Sequence, residues 1–213
     1  MRVLVRELGR NIDGTVTVKG WIHRIRELGG ISFVLLGDRT GMVQLVYEGK
    51  VGFTLESVLS VEGEVRKNEK APGGLEIHVE NTEVLAQAQS DLPIPVNQDP
   101  EKLSLEAILD NRMISIRIPK IRSIFKVQST ILKGFAEYLR QNGFTEIKTS
   151  KLIGSGTEGG TGLFSVEYFD TRVFLAQSPQ FYKQAMISSG LERVFEIGHA
   201  YRAEKHDTPR HLN

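Results

Sequence analysis

Arg202 and Glu204 stand two residues apart in the run VFEIGHAYRAE (194–204). If this run is a strand, Phe195, Ile197, His199, Tyr201 and Ala203 take one face, and Glu196, Gly198, Ala200, Arg202 and Glu204 the other. Gly198 and Ala200 would then leave space above the second face for a flat or extended ligand. A guanidinium there can pair with a phosphate, and the Glu204 carboxylate can accept from an amine. The same two charges also fit a surface pair worth under about 1 kcal/mol. A second polar group lies upstream in QSPQFYKQ (177–184), at the end of a strand predicted over 173–176. Ser178 suits a cap and Pro179 a first helical turn, so the spacing predicts a helix that ends before Gly190. Gln180, Lys183 and Gln184 share one side of that helix, which fits either an anionic ligand or a solvated face. With no cysteine, thiolate zinc sites, disulfides and cysteine nucleophiles are excluded. His199, His206 and His211 lack a ligand spacing that would compensate, so no metal site is expected in this chain.

These groups need a scaffold, and the composition allows one. Of 213 residues, 40% are hydrophobic and 25% charged, enough for a core in one large domain or two modest ones. The opening MRVLVREL is broken by charge at once, and no apolar run approaches the ~18 residues of a membrane span. Neither export nor membrane insertion is expected, and the cytoplasm is the default compartment. Net charge is only +1, but residues 1–50 and 101–150 are basic and 51–100 acidic. That pattern fits a face for a polyanion or ordinary solvated blocks.

Residues 1–88 carry five β segments, at 16–22, 31–36, 42–47, 58–65 and 75–79, separated by Gly29-Gly30, DRTG (38–41) and Pro72-Gly-Gly74. Their number and spacing fit a five-stranded OB barrel, whose outer face commonly binds oligonucleotides, or a small β-sandwich. Residues 89–115 open with three prolines among polar residues and read as a linker at a domain boundary. From Pro119 onward, Ile121, Ile124, Phe125, Ile131, Leu132, Phe135, Tyr138 and Leu139 recur at helical spacing until Asn142-Gly143. The apolar stripe of this helix is expected to pack on a sheet.

Taken in order, the segments resemble class II aminoacyl-tRNA synthetases of the aspartyl/asparaginyl subfamily, and within it the compact archaeal-type aspartyl-tRNA synthetase branch. The matching stretches are GWIHRIRELGG (20–30), the proline-bearing hinge, GFTEI (143–147), TEGG (157–160), QSPQFYK (177–183), YRAE (201–204) and TPRHLN (208–213). The resemblance implies an OB-fold anticodon-binding domain over 1–88, a hinge over 89–115, and an antiparallel-sheet class II catalytic domain over 116–213. It implies an aspartate–tRNA ligase that activates L-aspartate with ATP and Mg2+ to the aspartyl-adenylate and transfers it to tRNA(Asp). A second substrate, tRNA(Asn), stays open, and the enzyme would be a cytoplasmic homodimer.

By the same resemblance, Arg202 takes the place of the motif 2 arginine that holds the ATP α-phosphate and the amino-acid carboxylate, and is the expected catalytic residue. Glu204 would stand beside the adenine amino group, with Arg210 and His211 in a loop that contacts ATP and the tRNA acceptor end. Ser178, Gln180 and Lys183 would line the aspartate pocket, with Glu158 and Gln180 near the α-amino group and Lys183 facing the side-chain carboxylate. Asparaginyl synthetases lack this lysine in the same stretch, so Lys183 favours aspartate over the asparaginyl alternative. Residues 154–160 would be the loop closing over the amino acid. On the barrel, Phe33 and Gln44 would stack on and hydrogen-bond the central anticodon base, and His23, Arg24 and Arg26 would add stacking and phosphate contacts. His23 and Pro72 are expected in loops near the third anticodon base.

Two features depart from the pattern. Ser150 stands where motif 1 carries a proline at the dimer interface. The sequence also reaches Asn213 just past motif 2, without motif 3, its ATP-gripping arginine or the acidic Mg2+ ligands. The expectation is therefore the N-terminal part of a synthetase, inactive by itself in ATP–pyrophosphate exchange. A non-catalytic tRNA-binding module is the remaining alternative.

Overall fold

Alternation of apolar and polar residues in the first 88 positions becomes five strands: β1 (Thr15–Leu28), β2 (Ile31–Gly37), β3 (Met42–Glu48), β4 (Val58–Lys67) and β5 (Leu75–Ala86). In the computed structural model, which describes residues 2–156 and 162–203, they close into a barrel in the order β1-β2-β3-β5-β4. β1 outruns the predicted segment because it serves two neighbours: Thr15–Trp21 pairs with β4, and Trp21–Leu28 with β2. The closing contact is the parallel pairing of β3 with β5, which a two-sheet sandwich would not make. Val18, Ile22, Val34, Leu36, Leu45, Leu59, Val61 and Ile77 point inward and are fully buried. Gly20 sits where two strands approach closely, since a Cβ there would strike the Gly37 carbonyl.

The linker is better ordered than its composition suggests. Ile94 and Val96 lie buried among its prolines, and Val96 packs with Ile118 and Ile121. Residues predicted only as linker also hold two short helices, α1 (Leu105–Asp110) and α2 (Arg112–Ser115). The Ser104 hydroxyl caps α1 by accepting from the Ala107 N–H at 3.1 Å. Ile108 and Ile114 supply apolar contacts to the same cluster.

The long helix forms as predicted, α3 (Pro119–Gln141), and stops at Gly143, whose φ of 78° favours glycine. Its stripe meets a sheet only in part, near its C-terminal end. Val127, Ile131, Leu132, Phe135 and Tyr138 are exposed, whereas Ala136 is buried and Phe135 meets the Phe195 ring edge-on. The apolar arc is wider than the contact that this helix makes among the described residues.

The chain divides within α3 into two compact units, Met1–Ile124 and Phe125–Asn213. The second unit continues with β6 (Thr145–Glu146), β7 (Leu152–Ile153), β8 (Ser165–Tyr168), β9 (Thr171–Leu175), α4 (Gln180–Met186) and β10 (Val194–Phe195). β10 pairs in parallel with β6, and β7-β9-β8 form an antiparallel sheet. The strand expected over 194–204 is therefore only two residues long, apart from a bridge between Ala203 and Gly162. Among the described residues no strand runs beside 196–202, and extended backbone without a ladder partner is not a strand. Among the described residues no helix is long and apolar enough to cross a membrane.

Candidate nucleic-acid interface and amino-acid site

Barrel register gathers most of the expected anticodon residues onto one outer face. Across the ladders, Arg24 lies opposite Leu35, Leu35 opposite Gln44, and Gln44 opposite Glu76. A second row runs Arg26, Phe33, Val46, His78. Directly opposed residues share a face, and the alternate positions Val34, Leu36, Val43, Leu45 and Ile77 are the buried core, so both rows face outward. Arg24, Arg26, Phe33 and Gln44 thus combine cations, an aromatic ring and an amide on one wall. This is the chemistry that holds an unstacked single-stranded base.

Glu76 completes this wall and was not singled out in the sequence. Its carboxylate accepts from Gln44 Nε2 at 3.0 Å and from Asn68 Nδ2 at 2.7 Å, and lies 3.0 Å from His78 Nε2. Burial pushes the Glu76 carboxyl up, but the hydrogen bonds from Asn68, His78 and Gln44 outweigh it and hold it below the usual carboxylate range. The ionised carboxylate holds the Gln44 amide with its NH2 turned toward Glu76, leaving the amide oxygen to accept. Alternation with Leu75 and Ile77 puts Glu76 on the outer face, but only the parallel β3–β5 contact brings it to Gln44.

His23 does not join these rows. The β1–β2 register shifts between Ile22 and Arg24, a bulge that takes His23 out of the alternation. His23 is half-buried in a cavity of about 180 Å3 shared with Trp21, Asp38, Glu56, Arg117 and Arg122. Burial first, then the charges of Arg24 and Arg122, lower its pKa and favour the neutral imidazole. The expectation of a loop position is corrected for His23, which lies within β1, while Pro72 opens the short 3-10 turn Pro72–Gly74.

In the second unit, backbone bonds bring the two predicted polar stretches together. The Ala176 N–H donates to the Lys151 carbonyl, and the Ala176 carbonyl accepts from the Tyr201 N–H, both at 2.9 Å. Arg202 therefore follows directly on a residue bonded to the start of 176–183. Gln177 is fully buried, and the Ser178 hydroxyl accepts from the Gln180 N–H at 3.1 Å, but α4 opens one residue later than predicted, with Pro179 and not Ser178 at its N-cap. Lys183 is half-buried on that helix, whereas Gln180 is exposed. Glu158, Glu204, Arg210 and His211 lie outside the described residues, as do His206 and most of the 154–160 loop. Ser150, in place of the expected proline, donates to the Leu152 carbonyl at 2.6 Å.

The open space expected above Gly198 is not there. A Cβ on Gly198 would lie 3.2 Å from Glu196 Oε1 and 3.3 Å from Lys151 Nζ, because a buried ion pair fills that position. Lys151 Nζ lies 2.9 Å from Glu196 Oε1, and Thr149 donates to Glu196 through both its N–H and its hydroxyl. Burial would raise the Glu196 carboxyl, but the Lys151 and Thr149 hydrogen bonds and the Lys151 charge hold it low. Neither Lys151 nor Thr149 is visible as a partner in a sequence where Glu196 lies 45 and 47 residues away. Among the described residues no three His, Asp or Glu side chains converge as metal ligands.

Comparison with known proteins gives these two sites a common context. Residues 104–213 match the tRNA synthetases class II (D, K and N), and residues 16–85 match the OB-fold nucleic acid binding domain. The Aspartate--tRNA(Asp/Asn) ligase of Archaeoglobus fulgidus is 43% identical over 224 residues, covering 100% of this chain and 52% of the relative. That of Thermus thermophilus is 44% identical, covering 100% and 50%. Among solved structures, asparaginyl-tRNA synthetase from Pyrococcus horikoshii complexed with asparaginyl-adenylate matches with a TM-score of 0.90 at 35% identity, over 100% of this chain and 50% of that one. The chain thus spans about half the length of the curated relatives it matches. Its matched motifs and its barrel both fit one family, and the chain belongs to the class II tRNA synthetases of the D, K and N group.

Proposed function

We propose that this chain supplies the anticodon-reading barrel and the aspartate-binding part of an aspartate–tRNA ligase, a cytoplasmic enzyme acting on tRNA(Asp) and, in a permissive form, on tRNA(Asn). The observation that carries this is the Tyr201–Ala176 backbone bond, which sets Arg202 next to the stretch holding Ser178 and Lys183. In the reaction, the α-carboxylate of aspartate attacks the α-phosphorus of ATP and pyrophosphate departs, which brings negative charges together. Arg202 offsets that repulsion with a planar, two-pronged cation directed at carboxylate and phosphate. Glu204, Arg210 and His211 are assigned to adenine and to the remaining ATP and acceptor-end contacts, and Glu158 and Gln180 to the α-amino group.

Lys183 pairs with the side-chain carboxylate of aspartate, and an asparagine amide gives it no opposite charge. Aspartate is also favoured over asparagine by identity, at 43% and 44% to the two aspartate ligases against 35% to the asparaginyl structure. On the barrel, Phe33 stacks the central anticodon base, Gln44 in the grip of Glu76 reads its edge, and Arg24 and Arg26 meet phosphates. The exposed apolar side chains of α3 favour a homodimer through this helix. Domain limits of 1–88, 89–115 and 116–213 are assigned accordingly. Mg2+ bound with ATP would neutralise the phosphates, held by ligands from beyond motif 2.

ATP–pyrophosphate exchange in the whole protein tests the assignment. Aspartate should support exchange and asparagine should not, and Lys183→Ala should lower aspartate-dependent exchange about a hundredfold, as expected when one partner of a buried charge pair is removed. Exchange supported by asparagine in its place would overturn it.

A further inference from the structure

We infer that the cavity behind the β1 bulge is a phosphodiester site, in which Arg122 and His23 hold the RNA backbone as it leaves the base-reading face of the barrel. The proposal rests on the RNA-binding assignment of the barrel and extends it to a surface that no base-reading residue occupies. The cavity, about 180 Å3, is lined on one side by Trp21 and His23 of β1 and on the other by Ile116, Arg117 and Arg122 from the helical segment that follows the linker. A space of this size takes a phosphate group but not a nucleotide.

Its charges divide into two sets. Arg117 is committed: it bonds Glu56 at 2.5 Å and lies over the Trp21 ring, 4.9 Å from its centroid. Asp38 is likewise saturated, accepting from the Val5 N–H, the Thr40 N–H and hydroxyl, and the Gly41 N–H. Arg122 is different, because among the described residues no carboxylate lies within ion-pair distance of its half-buried side chain. The charges acting on His23 are those of Arg24 and Arg122, both positive. The Arg122 guanidinium and the His23 imidazole thus share a partly dry site whose two carboxylates are already committed, Glu56 to Arg117 and Asp38 to its backbone and Thr40 donors.

Geometry then selects the source of the anion. Arg24, next to His23 in the chain, heads the outer row that continues through Leu35 to Gln44 and Glu76. The bulge between Ile22 and Arg24 turns one residue of β1 to the cavity and the next to that row. A strand of RNA whose base is held at Phe33 and Gln44 therefore passes the cavity within a short length of backbone. Binding a phosphodiester there would also reverse the field on His23 and favour its imidazolium, which donates from both ring nitrogens.

The test uses the full chain and an unmodified tRNA(Asp) transcript, with affinity measured against salt concentration. Each phosphate neutralised contributes about 0.7–0.9 to the slope of log affinity against log salt, so Arg122→Gln should lower the slope by about that amount, with Arg122→Lys restoring it. An NMR titration of His23 in the unaltered chain gives a readout independent of any variant's folding, and its pKa should rise when RNA is bound. Binding by the unaltered chain with the same slope in Arg122→Gln, or a His23 titration indifferent to RNA, overturns the proposal alone. Saturation of the site by inorganic phosphate with no effect on RNA affinity overturns the choice of RNA as the source. No binding by the unaltered chain overturns the RNA assignment of the barrel as well.

Discussion

In the barrel every strand has a partner on each side, whereas among the described residues of the second unit β6 and β10 pair with each other alone, and β7 and β8 are edges of a three-stranded sheet. Closure lets the barrel bury one continuous cluster running from Leu8 through Ile77. The second unit buries mainly Ala136, Ile153, Ala176, Val194 and Phe195, and exposes large apolar groups such as Ile131, Tyr138, Phe181 and Ile187. The polar sites differ in the same sense. Glu76 in the barrel is fixed by Gln44 on the adjacent strand and by Asn68 just past the end of β4, while Glu196 depends on a lysine and a threonine delivered by an irregular segment. Regular ladders position a site by register; short irregular segments need a buried charge pair to do the same work.

This contrast can be broken most sharply at Gly20. Its replacement by alanine drives a methyl into the Gly37 carbonyl, and overpacking against backbone should cost about 3 kcal/mol, the upper end of the usual range. Trp21 is the single tryptophan, so the loss is expected in the urea midpoint followed by fluorescence, which reports the barrel alone. An unchanged midpoint would show that the barrel can open at that strand.

Lys151→Met is the corresponding change in the second unit. It strands the Glu196 carboxylate and should cost about 2–3 kcal/mol, short of the range for fully enclosed pairs because Lys151 keeps some access to water. The loss is expected in the far-UV circular dichroism transition, with the Trp21 transition unmoved. Acid dependence gives a second handle on the same pair. Because the Glu196 pKa is lowered by folding, its contribution is complete above the unfolded value near 4.3 and declines as pH falls below it. Glu196→Gln should flatten that acid limb of stability, and an identical limb in the variant would remove the pair from the account.

Function should respond differently from stability on the barrel face. Phe33→Ala is expected to weaken RNA binding by about 1–3 kcal/mol, the value of one base–aromatic stack, while the barrel stays folded. Filter binding of the transcript beside a Trp21 melt would separate the two, and full affinity in the variant would place the base elsewhere. The smallest effect has the opposite sign. Gly134 lies within α3 with nothing near its Cβ position, so Gly134→Ala should stabilise by about 0.5–1 kcal/mol, read as a raised helix melting transition. A loss there would place Gly134 inside the contact of the homodimer proposed through α3.

Five β segments and the long helix from Pro119 were legible in the sequence because each depends on local pattern: alternation, period and turn chemistry. Phe33, Gln44, Lys183 and Arg202 took their proposed roles from the family resemblance and not from local pattern. Local pattern overreached at 194–204, where alternation suggests a strand but a strand also needs a neighbour, and among the described residues only two positions have one in a ladder. It overreached again on α3, since an apolar stripe does not say what covers it. Tertiary structure alone decided three things. The parallel β3–β5 contact put Glu76 against Gln44; the β1 bulge carried His23 off the outer rows into the cavity that Arg122 also lines; and the fold of the second unit placed Lys151 in the space beside Gly198. Each joins residues separated by tens of positions, and such contacts are fixed by closure and packing, which no local window of sequence contains.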